Sequence, residues 1–153
     1  MKRTLPANRN VLAWFLLVSA VALHVVDETL SDFLPFWNQL VTRLRAELAF
    51  VPLPTFSFAA WLGGLIFAIL VGYALIPAVN RGGKFVRVLT TALGILMILT
   101  ASGHLLGSIY FGKILAGMWS SPFLLLASIF VIIQGFTGRW NSNSDHKASH
   151  NPA

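Results

Sequence analysis

The chain has no cysteine in its 153 residues. Disulfides and thiolate metal sites are excluded, and the redox compartment is left open. Charge is scarce as well: Asp, Glu, Lys and Arg make up 10% of the chain, against roughly 25% in a soluble domain. The sequence also lacks a phosphate-cradling glycine loop, a nucleophile elbow and an HExxH helix. What stands in place of charge is apolar surface, with hydrophobic residues at 56%. A soluble fold of this size has too few charges to cover that surface, so a bilayer must. The net charge of +6 would suit nucleic acid if it were gathered on one face. It is instead split into short basic clusters between apolar runs, which is the pattern of membrane topology, and no nucleic-acid partner is expected.

Four apolar stretches predict an all-α, polytopic membrane protein with membrane lipids as its surroundings. The helices are expected at about residues 10–30, 55–79, 87–112 and 116–136, forming one domain over 1–140. A span needs roughly 17–25 mainly apolar residues. The first stretch reaches that length only by carrying His24, and Asp27 with it, toward the outer boundary. A cleavable signal peptide is the competing reading of this segment, with "AVA" at 20–22. The run continues through Leu23, Val25 and Val26, which favours a retained helix.

Orientation follows from the basic residues. Lys2, Arg3, Arg9, Arg81, Lys84, Arg87, Arg139 and Lys147 fall on one side, and Arg43, Arg45 and Lys113 on the other. That bias predicts a bacterial inner-membrane protein with both termini in the cytoplasm. The connection after the first span is structured. In "PFWNQLVTRLRAEL", residues 35–48, Phe36, Trp37, Leu40, Val41, Leu44 and Leu48 share one helical face. This predicts an amphipathic helix over about 35–49. It either lies in the outer interface with Trp37 as anchor or packs over the bundle. The polar tail, 141–153, reads as disordered, and His146 and His150 within it make a weak metal pair.

Three ionisable residues crowd the end of the first span, in "ALHVVDETL", residues 22–30. His24 is fifteen residues beyond Arg9, or roughly 22 Å, and His104 is seventeen beyond Arg87, or roughly 25 Å. Two imidazoles on separate helices are thus expected at similar depth, in the outer half, with Asp27 and Glu28 three and four residues from His24. Gly103 and Gly107 flank His104 and suggest close approach by another helix, and Gly63, Gly64 and Gly72 suggest the same on the second span. Two His with one or two carboxylates suit zinc or iron. Without a metal the same groups suit proton transfer. The plain alternative makes Asp27, Glu28 and Asp32 the place where the chain leaves the bilayer. His104 resists that explanation, because its helix stays apolar through Phe111.

At "HVVDE", residues 24–28, the chain resembles the family of small integral membrane proteins named for an HxxEE motif. The similarity extends to "LPFW", residues 34–37, and to "GHLLGSIYFGKILAGMWSSPFLLL", residues 103–126. The resemblance implies that His24 and Glu28 occupy motif positions and His104 a second-His position. Asp27 departs from the motif, which has Glu there. The family has no established activity, so the resemblance implies membrane class and site but no reaction. Sterol isomerases and sigma-2-like receptors offer a fold-level analogy, with His and acidic groups in an intramembrane pocket.

The sequence therefore predicts an outer-half site of His24, Asp27, Glu28 and His104 that binds a metal ion, zinc or iron, or a small lipophilic ligand. An acid–base enzyme acting on a lipid-soluble substrate is the second expectation, and it requires a pocket beside Glu28. A structural protein whose polar cluster only locks two helices is the third.

Overall fold

The computed structural model describes residues 9–48 and 52–137, which are all-helical with no strand among them. The order is α1 (Arg9–Leu30), α2 (Phe33–Glu47), α3 (Phe58–Ala74), α4 (Ile76–Arg81), α5 (Lys84–Phe111) and α6 (Ser121–Thr137). Three segments, Arg9–Leu30, Phe58–Arg81 and Lys84–Phe111, are long and apolar enough to cross a membrane. Their outward faces are apolar: Phe67, Leu70, Val88 and Leu99 are all well exposed. Such surface is inexpensive in a lipid environment. The tail histidines His146 and His150 lie outside the described residues.

Two boundaries differ from expectation for local reasons. The second span begins at Phe58, where the Ser57 side chain caps the helix by accepting from the Ala60 N–H at 3.3 Å. It breaks at Leu75 and resumes as α4 with Pro77 in its first turn. The fourth apolar stretch begins its helix at Ser121 rather than 116, with Pro122 next in line. Residues 116–120 form a turn instead. The apolar helix Ser121–Phe136 is thus shorter than the other three.

α1 is the hub. It packs against α6, α3, α4 and the start of α2, while α5 packs against α6. Ala13, Trp14, Leu17 and Val18 bury α1's inner face against Val79, Ala101, Leu124 and Val131. Two glycines set the spacing between helices. The Trp14 Nε1–H donates to the Gly72 carbonyl at 2.7 Å, and a Cβ at Gly72 would sit 3.0 Å from Val18. A Cβ at Gly94 would sit 2.7 Å from Ile132, so α5 and α6 are held at a distance only glycine permits. By contrast, a Cβ at Gly63, Gly64 or Gly103 would meet nothing within 4 Å. Among the described residues, no helix packs on those three.

α2 turns its apolar side inward. Leu34 and Val41 are buried, whereas Thr42, Arg43 and Arg45 are exposed. It is tied to the returning strap, residues 52–57, by Trp37 Nε1–H to the Pro54 carbonyl (3.0 Å). Asn38 adds a reciprocal pair with the Phe56 backbone (2.9 and 3.0 Å), and Arg45 donates to the Leu53 carbonyl. This is the geometry of a helix folded over the bundle end. The corner before it is turned by Asp32, whose φ of 54° is left-handed, a conformation that Asp tolerates better than most residues.

Candidate functional site

α1 and α5 bring His24, Glu28 and His104 together near one end of the bundle. Each of the three offers one ligand atom, and these atoms lie within 4.8 Å of one another. Glu28 Oε1 is 3.5 Å from His24 Nε2 and 3.1 Å from His104 Nε2. The imidazole rings meet edge to face with centroids 4.8 Å apart. His24 and Glu28 are buried and His104 nearly so. The i,i+4 spacing on α1 stacks His24 and Glu28 on one stripe, and α5 supplies the third group from across a cleft.

Asp27 is not in this cluster. One helical residue advances about 100°, so Asp27 and Glu28 flank His24 on opposite sides, and Asp27 faces the turn that leads into α6. There its Oδ2 accepts from the Ser120 N–H (2.9 Å) and the Ser120 hydroxyl (2.8 Å), while the Ser31 hydroxyl approaches Oδ1 at 3.2 Å. Asp27 therefore anchors the α5–α6 turn and meets the cluster through Ser120, whose hydroxyl also bonds His24.

That turn, residues 112–120, orients both imidazoles. Gly112 ends α5 with φ of 61°, and the Leu115 N–H donates to the Ser108 hydroxyl at 3.1 Å, folding the chain back. His104 Nδ1 then lies 2.5 Å from the Ala116 carbonyl, and His24 Nδ1 lies 2.8 Å from Ser120 Oγ. These partners fix the tautomers. A carbonyl only accepts, so His104 Nδ1 carries the proton. The single Ser120 hydroxyl proton has Asp27 and the Gly117 carbonyl (3.2 Å) as its acceptors, so His24 Nδ1 must donate to Ser120. In the neutral imidazoles both Nε2 atoms would then present lone pairs to the Glu28 carboxylate. Among the described residues, no hydrogen-bond partner reaches the buried His24 Nε2. With both rings neutral and Glu28 ionised, three acceptors would face one another with no donor among the described residues between them.

Gly117 completes the arrangement. Its φ is 79°, and a Cβ there would lie 2.9 Å from His104 Nδ1 and 2.9 Å from His24 Cε1. The turn's backbone lies directly against both rings. Ala116, Gly117 and Ser120 are site residues that the sequence reading missed. Ala116 acts through its carbonyl, which carries no sequence signal. The small-residue pair before Pro122 was the available clue that a turn and helix start lie here.

Beside the cluster is a cavity of about 560 Å³, within the usual range for small-molecule sites. His24, Glu28 and His104 line it, with Phe36, Trp61, Met97 and Phe111 among the apolar residues opposite. Phe33 closes one side with its ring 5.4 Å from that of His104. A smaller cavity of about 250 Å³ reaches Glu28 from the other side, past Thr29, Asp32 and Asn38. Fold and site together describe a helical protein with membrane-compatible spans and a buried His/Glu/His cluster suited to holding a metal ion. Comparison with known protein families, curated proteins and solved structures finds no match to this chain.

Proposed function

We propose that this chain is a four-span inner-membrane protein of bacterial type whose His24, Glu28 and His104 bind one divalent transition-metal ion. It would belong with the HxxEE-motif proteins it resembles. Ser121–Phe136 serves as the fourth, short crossing, and the Arg81, Lys84 and Arg87 end faces the cytoplasm. Lys84 and His104 are twenty residues apart on α5, roughly 30 Å along the helix, which supports a site at the opposite, outer end. α2 lies there as the outer cover of the cluster.

The observation that carries the metal reading is the meeting of three acceptors. One proton shared by Glu28 and His104 would satisfy the 3.1 Å pair and still leave His24 Nε2 without a partner. A divalent cation satisfies all three. The two Glu28 distances, 3.1 and 3.5 Å, lie close to the roughly 3.3 Å expected between ligand atoms around tetrahedral zinc, whereas the cluster as a whole spans up to 4.8 Å, so the two imidazoles would draw together by up to about 1.5 Å on binding. Two His and one carboxylate also suit iron(II). Both outer nitrogens are hydrogen-bonded, as metal-bound histidines usually are, with Ser120 and Asp27 behind His24 and the Ala116 carbonyl behind His104. A buried carboxylate in an apolar surrounding also calls for a counter-charge. Three protein ligands leave a coordination position open, and the ion would supply Lewis acidity there.

Metal analysis of the purified protein tests this reading. One equivalent of zinc or iron in the wild type, lost in both His24→Ala and His104→Ala, is expected. Equal, negligible metal in all three after incubation with either ion would reject it.

A second reading is favoured by the cavity beside Glu28: acid–base catalysis on a lipid-soluble substrate, with Glu28 and His104 exchanging a proton across 3.1 Å. It predicts activity that survives chelation, whereas the metal reading predicts a chelator-sensitive site.

A further inference from the structure

We infer that the large cavity holds a membrane-derived free fatty acid, with its carboxylate on the metal ion and its chain along the apolar wall. The inference rests on the metal reading above and names the ligand class of that site. Charge decides the head group. A divalent ion with one carboxylate ligand leaves a net charge of +1. Among the described residues lining the cavity, Glu28 is the only Asp, Glu, Lys or Arg. An uncompensated charge in an apolar cavity is costly, and an anionic oxygen ligand in the open position removes that cost.

The wall decides the rest of the molecule. Phe36, Leu40, Leu65, Met97, Leu99 and Phe111 make the wall mainly apolar. Of its few polar groups beyond the cluster, the Trp37 indole N–H and the Thr100 hydroxyl proton are already donated to backbone carbonyls, so the ligand is mainly apolar beyond its head. The polar residues Thr29, Asp32 and Asn38 line the smaller cavity on the other side of Glu28, which leaves the larger one to the chain. Access is lateral. α3 and α5 hardly touch among the described residues, and Gly103, which lines the cavity on α5, is exposed with open space where a Cβ would be. A chain can enter between these helices from the lipid without crossing water.

Trp37 and Trp61 line the cavity and report on it. The full-length protein in detergent micelles is loaded with zinc and titrated with dibromostearic acid, whose bromines quench tryptophan fluorescence. Saturable quenching is expected. It should become at least about tenfold weaker with the methyl ester, which keeps the chain and loses the charge. Stripping zinc should weaken it similarly. Gly103→Phe, which places a ring in the cavity away from the metal ligands, should abolish saturable quenching and keep zinc. Trp61→Phe, a milder change, should shrink the saturable component to what Trp37 contributes and also keep zinc. Equal quenching by acid and ester, or quenching indifferent to zinc or to the filled cavity, overturns the inference. Zinc uptake with no saturable quenching overturns it alone. No zinc uptake overturns the metal reading, and this inference falls with it.

Discussion

Replacing Gly117 by alanine separates the turn's backbone conformation from its contact with the imidazoles. At a φ of 79° an alanine pays roughly 1–2 kcal/mol for the left-handed conformation. Gly112 has a similar φ, 61°, with open space where its Cβ would go. Gly112→Ala therefore carries the backbone cost alone. At Gly117 the new Cβ would also stand 2.9 Å from both His104 and His24, where ordinary contact begins at 3.4 Å. One or both rings must shift by about 0.5 Å, against a tolerance of roughly 0.2 Å in metal–ligand distances. Both variants should lower the thermal midpoint in detergent. Only Gly117→Ala should also weaken zinc, by about 10–100-fold, measured by competition with a chromophoric chelator. If Gly117→Ala kept wild-type zinc affinity and lost no more stability than Gly112→Ala, the close packing of the turn on the rings would have no functional weight.

Further outcomes follow from the same geometry. Asp27→Asn keeps the side-chain shape but weakens the hold on Ser120. It should reduce zinc affinity about 10–100-fold without abolishing it, which a direct ligand's loss would do. Trp14→Phe removes the donor to the buried Gly72 carbonyl and should cost about 1–3 kcal/mol of stability, seen as a lower melting midpoint with zinc affinity unchanged. Zinc affinity should fall as pH falls, because protons compete for the Nε2 lone pairs and the Glu28 carboxylate and the free ligands are favoured as pH rises; titration calorimetry at several pH values should record proton release on binding at the acid end. Saturating zinc at about a hundred times its dissociation constant should raise stability by about 2.7 kcal/mol, and the rise should vanish in His104→Ala.

Most of the helical framework was legible because long apolar runs admit one solution in a bilayer. α1 and α5 fall close to their expected limits. The convergence of His24 and His104 was also legible, from the rise per residue counted from the basic residues that precede each helix. Direction around the helix was not. Three and four residues from His24 both count as neighbours along a helix, yet Asp27 and Glu28 sit about 100° apart, and only the positions of α5 and α6 decide which carboxylate meets His104. The α5–α6 turn was the larger gap. Its residues are apolar enough to read as helix from 116, but Gly112 and Gly117 adopt left-handed backbone, and Pro122 fixes the new start. Gly103 carried the opposite error. Its sequence setting suggests helix contact, whereas within this chain it borders open cavity.

The central claim is that His24, Glu28 and His104 share one ion, and X-ray absorption at the zinc edge of the loaded protein tests it most directly. A nearest-neighbour shell containing two imidazoles and carboxylate oxygen is expected, reduced to one imidazole in His104→Ala. A shell of oxygen alone, or one identical in the wild type and the variant, would contradict it.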